Sequence, residues 1–568
     1  MSLAAAREYL ASPHLEPELK ADLEPLLKAA EAGDSAALVE INDRFSEPLA
    51  FGTGGLRGIM ASGLRRMNRP NIRRATLGVA AIAKKHAPEQ MTAIVGFDTR
   101  LQSNVFARET ARVLAEAGYT VYLGDRPLPT PFLCYAMRAL KTGTGVIVTA
   151  SHNPKEYNGY KAYDNLGGQV VTPWDAEIEA AVGQTPVVPP VPSPDVDSRI
   201  IPIPKEIEEA YLKLGLGFLQ KPTEFEPAKI LYTPFHGTGI AHVPEFYKRA
   251  GIPLEVCAAQ AIQDGAFPTA PRPNPEEIAA YKATIEDADR IQAEAILAND
   301  PDADRIGVIA KNKGAWQLMT GNDLCALTLD YIATQSRRKG AVVTTVVTSD
   351  LVAKVAEHHG LPVIWTLTGF KWIGLAMERL QQRGEAYLFG AEESFGMQIS
   401  DAIRDKDGVT AALLVGEMIG HYKAKGMTLY DAVQALYAKV GAFTNRLVNL
   451  EDPRPGGAQR FAEAMGRIRS AGLVTFAGEA VVSWEDFQSG ELHQADGSTD
   501  AILDRPDQRA IAQPLPKSNV LKFRLASGAF AAFRPSGTEP KLKVYLQSRT
   551  GAAALDAMEA EARMLLGL

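Results

Sequence analysis

The thirteen residues from Thr149 to Lys161, TASHNPKEYNGYK, place the hydroxyl of Ser151 among polar and basic groups. Ser151 follows a short apolar run, and His152, Asn153 and Lys161 lie close to it in the chain. A serine hydroxyl can carry a phosphoryl group when neighbouring groups neutralise the negative charge. We therefore predict that Ser151 is a nucleophile that becomes a phosphoserine.

Two alternative roles apply to this loop. A hydrolase nucleophile elbow needs Gly-x-Ser-x-Gly, but the flanking positions hold Thr149 and Asn153, so that motif is absent from the sequence. The other alternative is structural, with Ser151 or Asn153 capping a helix that begins at Pro154. An isolated Ser-His pair fits the helix cap, whereas the complete string of thirteen residues favours the phosphoserine.

Asp300, Asp302 and Asp304 alternate within the segment NDPDADRIG. On an extended chain this spacing points three carboxylates to one side, which suits a divalent cation such as Mg²⁺ and leaves room for a phosphate oxygen. A calcium-binding EF-hand also opens with Asp-x-Asp-x-Asp, but it needs Gly and Glu where this chain has Arg305 and Lys311. A solvated acidic turn is the other alternative, although the apolar flanks favour a loop anchored to a core strand. Arg305 adds a positive charge that could face the same phosphate.

The segment FRPSGTEPKLKVY near the C-terminus combines an arginine, two hydroxyls and a glycine within five residues. Arginine can bind phosphate through two parallel hydrogen bonds, and successive backbone N–H groups at a glycine turn form an anion nest. An ordinary hairpin turn with a charged edge strand fits the segment equally well. The candidate phosphate ligands are Arg534, Ser536, Gly537 and Thr538.

Three weaker signals accompany these motifs. Glu392 and Ser394, in GAEESFG, can exchange hydrogen bonds with sugar hydroxyls, although early acids at a helix N-terminus look the same. Arg57 lies in a predicted glycine-rich loop, FGTGGLRG from Phe51 to Gly58, and Lys371 lies in TLTGFKWIG on a predicted loop after an apolar strand. Of the nine histidines, only His152 receives a predicted chemical role.

The composition restricts the class of protein. The chain has 568 residues, 46% of them hydrophobic, which predicts roughly three to five folded domains. A net charge of −7 gives no global attraction for nucleic acid. Three scattered cysteines form neither a metal motif nor a disulfide framework. The sequence shows no signal peptide, and no apolar run approaches the roughly 20 residues that span a bilayer, so we expect a cytoplasmic protein without a membrane partner.

The elements that must position these residues follow one plan. Helical periodicity up to about Phe45 predicts a helical lead-in. Three consecutive blocks then repeat one series, a buried strand, a polar loop and a helix. One of the buried strands is predicted from Thr92 to Phe97. Strands alternating with helices predict largely parallel sheets, with ligands at the carboxyl ends of the strands. Proline-rich stretches at 184–206 and 451–457 predict connecting segments.

In this order, the motifs resemble those of the α-D-phosphohexomutase family. TASHNP with YNGYK resembles its phosphoserine loop, DPDADR its metal loop, GAEESFG its sugar-recognition loop and RPSGTEPKLKVY its phosphate-binding loop. Pro301 departs from the more frequent DGDADR but leaves the three carboxylates intact. GTGGLRG and TLTGFKWI are more similar to the long branch of the family, which contains phosphopentomutases.

The resemblance implies an α/β protein whose four domains surround a central cleft. Three domains would share a mixed α/β topology, and the smaller C-terminal domain would be α+β. We expect a helical N-terminal extension followed by the four domains, with boundaries at 1–45, 46–205, 206–312, 313–445 and 446–568.

The resemblance also implies a reaction, the reversible transfer of phosphate between C1 and C6 of glucose through a phosphoserine and glucose 1,6-bisphosphate. Mg²⁺ would be held by a phosphoserine oxygen and by Asp300, Asp302 and Asp304. The expected proton-transfer groups are Lys161, with help from His152 or Arg57. The expected substrate ligands are Arg305, Lys371, Glu392, Ser394, Arg534, Ser536, Gly537 and Thr538.

Several alternatives stay open within this interpretation. Phosphomannomutase and phosphopentomutase would use the same motifs on other sugars, and a hexose-bisphosphate synthase would use them to form a different product. A phosphatase could use the same phosphoserine, and a non-catalytic scaffold could keep the fold. We expect a monomer or a homodimer whose partner is a small phosphosugar.

Overall fold

The structure is a computed structural model that describes residues 2–52, 55–336, 338–452, 454, 456–502, 516–535 and 541–567. The chain divides into two compact units. The first unit is Met1–Met319 with Ser394–Thr428, and the second is Thr320–Glu393 with Leu429–Leu568. Within the described ranges, no helix combines the length and the apolar character needed to cross a bilayer.

Helices and strands alternate along most of the chain. The helices are α1 (Ser2–Ala11), α2 (Pro17–Glu31), α3 (Ser35–Phe45), α4 (Arg69–His86), α5 (Ser103–Glu116), α6 (Thr130–Leu140), α7 (Trp174–Gly183), α8 (Lys205–Leu216), α9 (Val243–Ala250), α10 (Ala258–Ala261), α11 (Lys282–Ile291), α12 (Gly321–Gln335), α13 (Asp350–His358), α14 (Phe370–Gln382), α15 (Gly408–Ala424), α16 (Leu429–Val440), α17 (Gly457–Ala471) and α18 (Ala552–Leu566). The strands are β1 (Gly55–Ile59), β2 (Thr92–Phe97), β3 (Thr120–Leu123), β4 (Thr144–Val148), β5 (Tyr157–Tyr163), β6 (Ile200–Pro202), β7 (Ile230–Thr233), β8 (Glu255–Val256), β9 (Ala295–Ala298), β10 (Gly307–Asn312), β11 (Ala315–Leu318), β12 (Ala341–Thr345), β13 (Val363–Thr366), β14 (Tyr387–Glu392), β15 (Gly396–Gln398), β16 (Thr444–Glu451), β17 (Thr475–Phe476), β18 (Glu479–Asp486), β19 (Glu491–Gln494), β20 (Thr499–Ala501), β21 (Leu521–Leu525), β22 (Phe530–Pro535) and β23 (Lys541–Ser548).

The first unit contains a six-stranded sheet with the order β1-β5-β4-β2-β3-β6. Strand β2 is parallel to β3 and to β4, whereas β5 is antiparallel to both β4 and β1. Strand β2 has the predicted bounds and is buried beyond its first residue, as expected for an apolar central strand. The expectation of a largely parallel sheet is therefore correct for its centre, and the β1–β5 side is antiparallel.

A five-stranded sheet in the same unit has the order β11-β10-β9-β7-β8. Here β9 is parallel to β7, and β10 returns antiparallel beside β9. The polar loops after β4 and β9 thus lead into antiparallel strands, so the predicted plan of strand, loop and helix is wrong at these two loops. Each loop is held at both ends by neighbouring strands of one sheet, which restricts its movement.

The second unit contains two kinds of sheet. Strand β12 lies parallel to β13 and to β14. Strands β16, β23, β22, β21, β18, β19 and β20 follow one another in an antiparallel sheet. Helices α17 and α18 contribute Phe461 and Leu555 to the apolar core of this sheet. The antiparallel sheet with helices agrees with the α+β class expected for the C-terminal domain.

Helices α1 to α3 form the predicted helical lead-in, which ends at Phe45. A buried ion cluster joins this lead-in to α4 and α5. Arg73 is fully buried, its Nη2 donates to Glu16, and its Nε lies 3.0 Å from Oε1 of Glu109. Its Nη1 also donates to the carbonyl of Pro189 at 2.6 Å, in the proline-rich segment. We call Glu16, Arg73 and Glu109 the Arg73 cluster.

Candidate active site

The predicted nucleophile Ser151 lies on the loop between β4 and β5 and is almost completely buried. Its φ of 52° is left-handed, a conformation that costs a residue other than glycine about 1–3 kcal/mol and persists only where the surroundings enforce it. The backbone N–H of Ser151 donates to Oγ1 of Thr149 at 2.8 Å. The helix-cap alternative is wrong, because the chain turns and continues as β5 rather than as a helix.

Asp300, Asp302 and Asp304 lie on the loop between β9 and β10. The predicted extended conformation of this segment is wrong: the N–H of Ala303 donates to the carbonyl of Asp300 at 2.9 Å, and Ala303 has a φ of 55°. The turn nevertheless brings one oxygen of each carboxylate within 4.8 Å of the others. We call these three residues the aspartate cluster.

The phosphoserine loop and the aspartate cluster meet, although 149 positions separate them in the chain. Oγ of Ser151 donates to Oδ2 of Asp300 at 2.7 Å. Oγ also lies 3.1 Å from Nδ1 of His152. The structure therefore brings together the alcohol and the acidic residues that the sequence analysis singled out separately.

Two lysines offset part of the negative charge of the aspartate cluster. Nζ of Lys161 lies 2.8 Å from Asp302 and 3.2 Å from Asp304, and Nζ of Lys406 lies 3.1 Å from Asp304. Burial alone would raise the pKa of Asp304, but Lys406 and Lys161 outweigh it and hold that pKa below its usual range. Burial would likewise lower the pKa of Lys161, but Asp302 and Asp304 raise it above its usual value.

Burial first, and then repulsion from Asp302 and Asp304, raise the pKa of Asp300 well above its usual value. The charge of Arg305 acts on Asp300 but does not outweigh the groups that raise its pKa. Two oxygens, Oδ1 of Asp302 and Oδ1 of Asp304, are buried and accept no hydrogen bond from any described residue. Buried carboxylate oxygens without partners are unfavourable, and three converging hard oxygens are the ligands that Mg²⁺ prefers. The cluster therefore fits a divalent cation.

Two threonines fix the backbone of the acidic loop. Thr130, at the start of α6, donates from its N–H to the carbonyl of Asp302 at 2.9 Å and from Oγ1 to Oδ2 of Asp302 at 3.0 Å. Thr238 donates from its N–H at 2.8 Å and from Oγ1 at 2.9 Å to the carbonyl of Pro301. Such outer partners orient metal ligands, and the proline at position 301 keeps the carbonyl that Thr238 needs.

The other candidates in the first unit have the following positions. Arg57 lies on β1, rather than on a glycine-rich loop, and its Nη1 is 3.4 Å from the side-chain oxygen of Asn153. Arg305 pairs with Glu276 at 2.6 Å. Burial, with the positive charges of Arg305 and Arg57, lowers the pKa of His152 well below its usual value, so the imidazole is neutral at neutral pH.

Four of the remaining predicted residues fall within the described part of the chain. Ser394, in the first unit, lies in the turn before β15. In the second unit, Glu392 ends β14 and accepts from the N–H of Gly369 at 2.8 Å. Lys371 lies in the first turn of α14, not on a loop, and its Nζ is 4.8 Å from the Trp372 ring centre.

The predicted phosphate-binding loop is described only in part. Arg534 lies on β22 with its Nη1 3.5 Å from the hydroxyl of Tyr545. Strands β22 and β23 are antiparallel neighbours, as both the phosphate-loop and the hairpin interpretation require. Ser536, Gly537 and Thr538 lie outside the described residues.

Sequence reasoning missed Lys406 and Thr130 as neighbours of the aspartate cluster. Lys406 lies in the string RDKDG, and Thr130 lies in PLPTP. Neither string has the spacing of a recognised binding motif. No local signal in the sequence indicates that either residue lies near a ligand site.

Comparison with known proteins identifies four matching domains. Models of the phosphoglucomutase/phosphomannomutase family match this chain at 48–186 (alpha/beta/alpha domain I), 210–314 (alpha/beta/alpha domain II), 320–440 (alpha/beta/alpha domain III) and 494–564 (C-terminal domain). The predicted fold class, three α/β domains and a different C-terminal domain, is confirmed.

Two relatives and one solved structure extend this finding. A protein of Haemophilus influenzae named "Probable phosphomannomutase" is 34% identical over 490 residues, which cover 85% of this chain and 93% of the relative. A phosphoglucomutase of Staphylococcus aureus (strain MRSA252) is 32% identical over 523 residues, covering 89% of this chain and 91% of the relative. The crystal structure of a phosphoglucomutase/phosphomannomutase family protein from Burkholderia thailandensis is 18% identical with a TM-score of 0.66, covers 91% of this chain and 96% of its own, and shares the fold.

Proposed function

This chain belongs to the phosphoglucomutase/phosphomannomutase family of intramolecular phosphotransferases, and we propose that it interconverts glucose 1-phosphate and glucose 6-phosphate through a phosphoserine at Ser151. The observation that carries this proposal is the 2.7 Å hydrogen bond from Oγ of Ser151 to Asp300. Through this bond the predicted nucleophile lies beside three converging carboxylates.

The proposed reaction moves phosphate in two transfers. In the first, the phosphoryl group on Oγ of Ser151 passes to the free hydroxyl of the sugar monophosphate, which loses its proton. The product, glucose 1,6-bisphosphate, turns end for end. In the second transfer, Ser151 takes the other phosphoryl group back, and the sugar oxygen released from it regains a proton. No phosphate is gained or lost over the cycle.

The aspartate cluster supports a role for Mg²⁺ in this reaction. Asp300, Asp302 and Asp304 would hold the ion together with an oxygen of the phosphoserine. When bound, Mg²⁺ would neutralise charge on the phosphoryl group that is being transferred. The buried Oδ1 atoms of Asp302 and Asp304 are available for this binding, since they accept no hydrogen bond from the described residues.

The remaining roles are proposed with the residues predicted from the sequence. Proton transfer falls to Lys161 with help from His152 or Arg57; among these, His152 lies 3.1 Å from Oγ of Ser151. Sugar hydroxyls would bind Glu392 and Ser394. The proposed phosphate ligands and additional contacts are Arg305, Lys371, Arg534, Ser536, Gly537 and Thr538.

A second candidate function is phosphomannomutase, which the name of the Haemophilus influenzae relative favours. Glucose and mannose differ at one hydroxyl, and a site that hydrogen-bonds that hydroxyl separates the two sugars. The values of kcat/KM for glucose, mannose and ribose 1-phosphates would rank these two functions and phosphopentomutase. Formation of a sugar bisphosphate as the final product would instead indicate a hexose-bisphosphate synthase.

Intact-mass analysis with the variant Ser151→Ala tests the proposal. After incubation with glucose 1,6-bisphosphate, the wild type should gain one phosphate at Ser151 and convert glucose 1-phosphate. Ser151→Ala should do neither while unfolding at the same temperature, and Ser198→Ala, at an exposed serine, should behave as the wild type. Full mutase activity in Ser151→Ala would overturn the phosphoserine mechanism.

The same assay separates the rivals from other classes. A phosphatase would release free phosphate as fast as it consumes the sugar phosphate. A scaffold would show no phosphorylation with any sugar bisphosphate. Size-exclusion chromatography with light scattering would decide between the proposed monomer and homodimer, and fractionation of cells would test the proposed cytoplasmic location.

A further inference from the structure

We infer that Arg100, Asp98 and Thr149 form a positioning device that holds the backbone of Ser151 in its left-handed conformation, so that Oγ faces the aspartate cluster. This inference rests on the proposed function, because it assigns the device a purpose in phosphoryl transfer. None of the three residues belongs to the predicted site, and none is expected to contact the substrate.

The guanidinium of Arg100 binds the phosphoserine loop through its backbone. Arg100 is almost completely buried in the segment that follows β2, and its side chain donates four hydrogen bonds to backbone carbonyls. The acceptors are the carbonyls of Ser151 and Asn153 from Nη2, both at 2.5 Å, and those of Pro154 at 2.9 Å and Tyr157 at 3.2 Å from Nη1.

Asp98 contacts both Arg100 and Thr149, the two residues that bind the backbone of Ser151. Its Oδ1 accepts from the N–H of Arg100 at 2.9 Å and from Oγ of Ser103 at 2.7 Å, and its Oδ2 lies 3.3 Å from Nε of Arg100. Oδ2 also accepts from Oγ1 of Thr149 at 2.7 Å. Thr149 Oγ1 in turn accepts from the N–H of Ser151.

Arg100 binds the carbonyl of Ser151, and Thr149 binds its N–H. The peptide groups on both sides of Ser151 are therefore held in place, and Asp98 positions the two side chains that hold them. A residue other than glycine relaxes from this conformation unless its surroundings enforce it. The Phe267 ring, 5.0 Å from the guanidinium carbon, limits movement of Arg100.

Arginine suits this position for a geometric reason. A planar guanidinium offers five donors in a fixed fork, whereas the lysine ammonium is a compact group with three donors on a flexible stem. Lysine at position 100 would keep the positive charge but could not donate hydrogen bonds to all four carbonyls at once. A displacement of about 1 Å in a reacting group costs about 100-fold in rate.

The test compares Arg100→Lys and Thr149→Val with the wild type. Thr149→Val keeps the branched shape but removes the hydroxyl, and Thr149→Ser keeps the hydroxyl as a matched control. Arg112→Lys, at a partly exposed arginine that pairs bidentately with Asp197, controls for loss of a guanidinium elsewhere. The measurements are kcat, KM, the melting temperature, and the rate of Ser151 phosphorylation by glucose 1,6-bisphosphate, each per folded molecule.

We expect kcat and the phosphorylation rate to fall together, by about 100-fold in Arg100→Lys and about 10-fold in Thr149→Val, with KM within about twofold of the wild type. Both control variants should keep the wild-type kcat. A merely structural role would lower the melting temperature and the folded fraction but leave kcat per folded molecule unchanged, and that result would overturn the inference.

If Arg100→Lys does not fold, Thr149→Val decides, because wild-type kcat in that variant also overturns the inference. The proposed function fails by a different result, namely a wild-type protein that neither isomerises a sugar phosphate nor becomes phosphorylated at Ser151.

Discussion

The aspartate cluster and the Arg73 cluster, both in the first unit, each bury several carboxylates beside basic side chains. In the aspartate cluster, three carboxylates lie near two lysine ammonium groups. In the Arg73 cluster, two carboxylates lie beside the guanidinium of Arg73, and Nε of Arg69 lies 3.8 Å from Oε1 of Glu16. Each cluster also has an arginine at its margin that pairs with a more exposed glutamate: Arg305 with Glu276, and Arg69 with Glu18.

The clusters differ in how the carboxylates are arranged. Glu16 and Glu109 bind different nitrogens of one guanidinium, so the cation lies between them and joins two parts of the fold. The aspartate oxygens instead converge within 4.8 Å of one another, and an alcohol donates to one of them. A count of buried charges would not separate these regions. Carboxylate oxygens that converge on one point beside a nucleophile indicate a catalytic site. Carboxylates arranged around a cation indicate an ion cluster that stabilises the fold.

The largest effect that tests this difference is a loss of activity in Asp302→Asn. We expect kcat to fall about 10³-fold, equivalent to about 4 kcal/mol, because the variant weakens a site whose cation stabilises charge during transfer. The melting temperature should change little, since loss of the charge pair with Lys161 is offset by relief of the repulsion among the three converging carboxylates. Activity and thermal unfolding, measured with and without added Mg²⁺, provide the check.

Asp125→Asn, at an exposed aspartate, is the matched control and should leave both quantities unchanged. Chelation should inactivate the wild type, and Mg²⁺ should restore it and raise its melting temperature by binding the folded state. Wild-type activity in Asp302→Asn after stringent chelation would remove the distinction between the two clusters.

The next effect belongs to the Arg73 cluster and concerns stability. Glu16→Gln removes one of the two carboxylates from a fully buried guanidinium, and breaking a buried pair in this way typically costs about 3–5 kcal/mol. Because Glu109 and the carbonyl of Pro189 remain, we expect a loss of about 3 kcal/mol in the free energy of unfolding. Denaturant titration measures this loss, and kcat per folded molecule should stay unchanged.

Glu18→Gln is the control for this variant, since Glu18 makes an exposed pair with Arg69 that is expected to contribute about 1 kcal/mol or less. Equal destabilisation in the two variants would mean that burial of the Arg73 cluster carries no special stability. A large loss of kcat in folded Glu16→Gln would connect this cluster to the reaction.

The sequence predicted the parts of the molecule that depend on local patterns. The apolar run 92–97 is β2, and the helical lead-in ends at Phe45. Both could be predicted because the pattern of buried side chains in a strand or helix is visible in a short stretch of sequence. The sequence also predicts that Asp300, Asp302 and Asp304 converge, but for the wrong reason. Their spacing indicates an extended chain, whereas in the structure a turn with a left-handed Ala303 brings the carboxylates together.

Contacts between distant segments could not be predicted in the same way. Lys406 reaches Asp304 across about a hundred residues, and Glu16 reaches Arg73 across 57 positions. Neither contact is indicated by a periodic pattern or a motif in the sequence, because each depends on which surfaces the tertiary fold brings together. The boundaries of the four domains stay predictions.

The smallest effect concerns the pH dependence of stability in the Arg73 cluster. Burial raises the pKa of Glu109; Arg73 opposes this shift only in part, Glu16 adds to it, and Arg69 and Arg112 lower it slightly. A carboxyl whose pKa is raised by folding binds its proton more tightly in the folded state. Its contribution to stability is therefore present below the unfolded value of about 4.3 and is lost as the pH rises through the raised pKa.

Glu109→Gln should remove this dependence, because the amide does not titrate. We expect the variant to gain stability relative to the wild type between pH 4 and pH 8, as followed by the free energy of unfolding across that range. Glu116→Gln, on the same helix but exposed, provides the baseline against which the difference is measured. A difference that stays constant with pH would mean that Glu109 is ionised as readily in the folded chain as in the unfolded one. The Arg73 cluster would then tolerate both of its charged carboxylates without a proton, and the contrast with the aspartate cluster, which has room for a divalent cation, would rest on geometry alone.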